Sequence, residues 1–269
     1  MRYAIAVSLA TSILMLSATT AGAIPLLADE LIAADGTTSV VIDFDGAFQS
    51  YGPVNIKHNP SGTTYSGVGG QFKGYLDTLM MTEAENDPLN LFNLFCADMF
   101  QPASNAPRAY TAYAYDNDNL RKLYDIAYPG RDVETPSLPL GGFGYFAAIP
   151  GYNVADLNAA FQLSVWEIVT ETAPHLSLTG GDFVSLSINS KSHIQASAWL
   201  EGINSYQGDG YESWSVYRMD SPAYQDFVTA SYTPAQVSEP AMLALLGIGL
   251  FGLGLTRRPK TKTIAVARF

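Results

Sequence analysis

Cys96 is the only cysteine in a chain of 269 residues. A thiolate is a strong nucleophile, so a lone cysteine raises the question of what its sulfur could react with. With no second cysteine, a disulfide within the chain is excluded. The neighbours, "LFCADMF", read as the setting of a buried cysteine that packs as a small hydrophobe. The alternative is a sulfur capped covalently by another side chain. Other chemistry is thinly represented. His58, His175 and His193 show neither HxxxH nor HExxH spacing, so no metal site and no cofactor are expected. The "DNDN" at 116–119 lacks the glycine and terminal glutamate of a calcium loop and reads as a helix cap or turn. Asp43 and Asp45 sit at strand spacing, as a glycosidase's carboxylate pair could, but Gly46 makes a turn the plainer reading. There is no GxSxG elbow and no glycine-rich phosphate loop. No catalytic residue is assigned, and the chain does not read as an enzyme that turns over.

The elements that would position Cys96 follow from periodicity and punctuation. Thr38–Phe48 reads as a strand closed by Asp45-Gly46, and "TTYSGVGGQFKGYLDTLMM" as two short strands broken by a glycine turn. "LNLFNLFCADMF" is apolar enough to be buried. "DNDNLRKLYDIAYPG" predicts a helix, with Leu120, Leu123, Tyr124 and Ala127 at helical spacing and a stop at Pro-Gly. "NVADLNAAFQLSVWEIVTETAP" is the strongest helix, with Asn153 as N-cap, Asp156 in the first turn and Pro174 ending it. "INSKSHIQASAWLEGIN" predicts another, stopping near Gly202, before strand-like alternation returns in "ESWSVYRMD" and "AYQDFVTASY". The fold class expected is α+β: one β-rich domain with a helical middle.

Both ends carry addresses. Residues 1–23 have Arg2, an apolar stretch from Ala4 to Leu16 and small residues at Ala21 and Ala23, the pattern of a secretory signal peptide cut by signal peptidase after Ala23. Near the other end, Ala241–Leu255 lacks any charge. As a helix that run reaches about 22 Å, short against a bilayer core of roughly 30 Å. Hydropathy alone reads it as a tail anchor with Arg257 and Arg258 on the cytoplasmic side. The order of its parts, Glu239-Pro240, a Gly/Leu-rich run, then Arg257-Arg258, resembles the PEP-CTERM sorting signal of Gram-negative envelope proteins. That resemblance implies transient inner-membrane insertion by a short C-terminal hydrophobic helix, then processing by an exosortase. It departs from the pattern in Ser238, where the family has Pro, and in the "PKTKTIAVARF" after the arginines. The organisation expected is a signal peptide at 1–23, an extracellular domain at 24–235 and a sorting signal at 236–269. Between the addresses, residues 24–238 hold eight Lys and Arg against 24 Asp and Glu, a net charge of −16. Such acidity argues against nucleic acid and anionic lipid as partners.

A second resemblance bears on the sulfur. "FCADMF" is similar to the Phe/Tyr-Cys-x-Asp motif of bacterial thioester domains, and "AAFQLSVWEIV" to their helical Gln motif, with Phe161 and Ser164 where the family has Thr and Ala. "GGQFKG" at 69–74 and "LYDIAYPG" at 123–130 fall in the expected order. The resemblance implies a thioester-domain-like fold and a bond between Cys96 and Gln162, formed with loss of ammonia and open to attack by an amine. It makes Asp98, Trp166 and Glu167 possible supporting residues. Three functions stay open: an adhesion module coupling covalently to a surface amine or extracellular polymer, a noncovalent component of an extracellular or biofilm matrix with Cys96 inert, and a hydrolase acting on polysaccharide.

Overall fold

A computed structural model describes residues 37–76, 91–104, 106, 108–128 and 149–232, all within a unit that ends at Thr233. The signal peptide with Ala23, and the tail with Glu239, Pro240, Arg257 and Arg258, lie outside the described residues. Strand β1 spans Thr37–His58 and β2 spans Thr63–Leu76, joined by a tight turn with Gly62 at φ 68°. Both are longer than the sequence reading. Asp45-Gly46 does not close β1; the register slips there instead, from Phe44↔Gly74 to Phe48↔Phe72 and then to Ser50↔Gln71. Extra residues in one strand are absorbed as bulges while the ladder continues. Likewise Gly67, Gly69 and Gly70 do not break β2, whose pairing with β1 runs straight through them.

The remaining strands are β3 (Leu91–Cys96), β4 (Arg108–Ala114), β5 (Phe183–Ser185), β6 (Trp214–Asp220) and β7 (Phe227–Tyr232). All pairings are antiparallel, in the order β2-β3-β7-β6-β4-β1-β5. Because β1 pairs with β2 as well as β4, six strands form a closed ring and β5 adds to the far half of β1. Closure gives each of the six ring strands a partner on both sides, while β5 remains an edge strand of three residues. The α+β reading therefore holds, as a seven-stranded antiparallel sheet with helices. β4 and β5 are additions to it.

Three α-helices lie among the described residues: α1 (Asp118–Ala127), α2 (Val154–Thr170) and α3 (Lys191–Asn204). Each begins at a side-chain cap, Asn117, Asn153 and Ser190, that accepts from a backbone N–H which would otherwise lack a partner. α2 ends at Thr170, ahead of Pro174, and α3 runs past Gly202 to Asn204. Every α2 residue from Leu157 to Ile168 is buried. A helix covered all round belongs in an interior, and α2 lies between the sheet and α3. Phe161 anchors it, its ring 4.4 Å from Phe95, 5.0 Å from Tyr124 and 5.4 Å from Tyr128.

Candidate functional site

The approach of α2 to the sheet is set by a pair of glycines. Gly52 of β1 and Gly69 of β2 lie opposite each other in the ladder. A Cβ on Gly52 would stand 3.0 Å from Ala159 Cβ and 3.3 Å from Ala155 O. On Gly69 it would stand 3.2 Å from Gln162 Cγ and 3.5 Å from Trp166 Cη2. Ala155, Ala159, Gln162 and Trp166 follow one helical stripe, so the glycine pair lets that stripe lie against the backbone. At the start of the helix, Asn153 Oδ1 accepts from Asp156 N at 2.8 Å and Asp156 Oδ2 accepts from Asn153 N at 3.3 Å. This capping box fixes where the stripe begins.

Gln162 then reaches a gap in the ladder. β2 and β3 pair from Tyr75↔Leu91 to Phe72↔Leu94 and go no further. Ala97 N donates to Asp226 O, on the β7 side, so strand alternation turns the Cys96 N–H and C=O toward β2, where no strand partner remains. The Gln162 side chain takes that place. Cys96 N donates to Gln162 Oε1 at 2.9 Å, and Gln162 Nε2 donates to Cys96 O at 2.8 Å. A side-chain amide thus continues the sheet for one residue. Gln162 is fully buried and Cys96 is 3% exposed, so both backbone groups would otherwise lack any partner.

The same alternation places the sulfur. Phe95 points to α2, so the Cys96 side chain points to the other face, among the side chains of its cross-strand partner Phe227 and of Tyr110, whose rings are 5.8 Å apart. Burial pushes the Cys96 thiol well above its ordinary range, and the charge of Asp98 adds to this. Hydrogen bonds from the Cys96 backbone and from Gln225 oppose it. The Gln225 amide is held there by donating to Asp98 O at 2.7 Å. Sulfur in this pocket is kept as the neutral thiol.

The structure separates the residues that the sequence groups around this pair. Asp98 lies two residues along from Cys96, with Oδ1 accepting from Phe100 N at 2.7 Å. Trp166 lies one turn beyond Gln162, buried, its ring 6.2 Å from Phe183. Glu167 is turned elsewhere: Oε1 accepts from Ser177 N at 2.5 Å, and Oε2 is buried with no hydrogen-bond partner. Burial, with Glu171 and Asp182 adding negative charge, pushes its carboxyl up to about 8. It tethers the segment after α2 and does not contact Cys96 by any hydrogen bond. Two amides escape the sequence reading. Gln225 is one; its position beside Cys96 depends on the β6–β7 turn and leaves no local signal. The other is Asn158, 1% exposed with neither Nδ2 nor Oδ1 paired. A second amide one turn before Gln162, on the same face of the helix, is the signal that marks it.

Comparison with known families identifies the tail. Residues 236–258 match the PEP-CTERM protein-sorting motif. The chain carries an exosortase sorting signal. The match takes in Glu239, Pro240, Arg257 and Arg258 and includes the position of Ser238, so that departure leaves the motif recognisable. It marks an exported protein processed at the membrane by an exosortase. Among curated proteins and among solved structures, none matches the chain.

Proposed function

We propose that the sorted domain is an adhesion module of the cell surface or extracellular matrix, carrying an internal Cys96–Gln162 thioester that couples to amines. The observation that carries this reading is the doubly hydrogen-bonded seat of the Gln162 amide on the Cys96 backbone, in a site closed to solvent. The Cys96 N–H already donates to Oε1, the oxygen on which negative charge grows when sulfur attacks the amide carbon. A backbone donor fixed in a dry site stabilises that charge without reorganisation. The step requires the Cys96 side chain to swing from its seat beside Phe227 and Tyr110 onto the amide carbon; an S–C bond then forms, the C–N bond of the amide breaks, the thiol proton passes to nitrogen and ammonia leaves. An arriving amine reverses the pattern: a new C–N bond forms, C–S breaks and the sulfur recovers its proton. Signal peptidase at Ala23 and a surface amine or polymer are the further partners of this reading.

A second reading rests on the same two hydrogen bonds. Gln162 has a structural task at the end of the β2–β3 ladder, and the thiol is held neutral. The domain could therefore serve as a noncovalent matrix component with Cys96 unreacted. Intact mass of the purified chain separates the two. The thioester reading expects one ammonia less than the sequence mass, and recovery of a free thiol with methylamine added at Gln162. A full sequence mass and a thiol that titrates on unfolding would leave the noncovalent reading alone.

A further inference from the structure

Gln162 is bracketed on its own helix face. One turn before it stands Asn158, and one turn after it Trp166, each four positions away, so that side chains meet at about 5–6 Å between Cβ atoms. Both flanking residues are buried, Asn158 at 1% and Trp166 at 2% exposure. Both carry unused hydrogen-bonding atoms: Asn158 Nδ2 and Oδ1, and Trp166 Nε1. Three idle polar atoms within one stripe are costly, because each gave up water and gained nothing in return. The Gln162 amide between them makes one hydrogen bond through Nε2 and one through Oε1.

We propose that Asn158 is a positioning residue for the nitrogen that leaves, or attacks, the Gln162 acyl carbon, and that it makes the site selective for primary amines. This rests on the thioester reading. On that reading the nitrogen released from Gln162 keeps N–H bonds after the C–N bond breaks, and Asn158 Oδ1 accepts one of them. In the reverse direction an attacking primary amine gives up one proton toward sulfur and still has an N–H for Asn158. A secondary amine has none to spare. Trp166 Nε1 and Asn158 Nδ2 are donors for the lone pair of the ammonia once it has left the acyl carbon. The amide side chain therefore acts on the nitrogen, while the Cys96 N–H acts on the oxygen.

The test compares the full secreted chain with Asn158→Leu, following intact mass, the rates of methylamine and dimethylamine uptake at Gln162, and the thermal midpoint. Leucine has nearly the shape of asparagine and removes unpaired polar atoms, so the midpoint should hold or rise. Methylamine uptake should slow on the order of tenfold, as loss of one transition-state hydrogen bond implies. Dimethylamine uptake should change little, which a merely structural role for Asn158 does not explain. Where Asn158→Leu folds poorly, Asn158→Ala is judged by the same pair of rates. Equal slowing of both amines, or unchanged uptake of both in a chain that shows the mass deficit, overturns the role of Asn158 and leaves the thioester standing. A wild-type chain of full sequence mass overturns both.

Discussion

Removing Gln162 should cost far more than removing Cys96, although the two are joined at one site. In Gln162→Ala, the Cys96 N–H and C=O both lose their partners inside the protein. Each buried backbone group left unpaired costs about 1–3 kcal/mol, so the pair costs about 2–6 kcal/mol. In Cys96→Ala both hydrogen bonds survive, because they belong to the backbone, and only a packed sulfur is lost. That cavity costs about 1 kcal/mol. A thioester, if formed, is lost equally in both variants and cancels from the comparison. The expected difference is roughly 3 kcal/mol, about 6–12 °C in thermal midpoint for a domain of this size. Differential scanning calorimetry of the two variants, with urea midpoints as a second measure, reads it directly. Equal midpoints would refute the idea that Gln162 completes the sheet at Cys96.

Three further outcomes are expected. The Glu167 carboxyl is pushed up to about 8 from 4.5, so the folded state holds a proton that the unfolded chain releases. Its stabilising contribution is full below pH 4.5 and lost as pH rises to 8, at about 1.4 kcal/mol per pH unit. Glu167→Gln should flatten that fall in urea titrations between pH 5 and pH 8.5, and an unchanged slope would contradict the assignment. Gly69→Ala sets a Cβ 3.0 Å from Val54 Cγ1 and 3.2 Å from Gln162 Cγ; overpacking of about 1–3 kcal/mol should appear, with faster hydrogen exchange at the Cys96 N–H as Gln162 is displaced. Replacing Glu239 and Pro240 by Ala within the sorting motif should hold full-length protein in the membrane fraction of a host with an exosortase; release at the wild-type level would argue against processing there.

Local chemistry wrote the helices legibly and the sheet only in part. Asn117, Asn153 and Ser190 each stand where a helix begins, since a cap acts on its own next turn and needs nothing distant. The Asp45-Gly46 pair reads as a turn for equally local reasons, yet pairing with β2 resumes at Phe48 and carries β1 past it. In β4, Tyr110 and Ala112 alternate with the exposed Ala109 and Thr111. Alanine on both faces blurs that pattern, so the sequence does not mark the strand. The motif resemblance names Cys96 and Gln162 together. What the amide does there was illegible, because it depends on where β2 and β3 cease to pair. That is a property of two strands and a helix jointly.

The closed ring has a consequence for the order in which the protein assembles. β3 is joined to β7 by only two residue pairs, Phe95↔Val228 and Cys96↔Phe227. These link an early strand to the last one, across most of the domain. Loop closure of that length is entropically slow and comes late in folding. Cys96 lies in the seam, so its surroundings are finished only when the final strand docks. Any nascent or truncated chain lacking Phe227 presents this thiol without its cross-strand neighbour. In chain order, the strand that covers Cys96 ends at Tyr232, so the seam around the thiol is complete only once nearly the whole domain has been made, just before the sorting motif begins at residue 236.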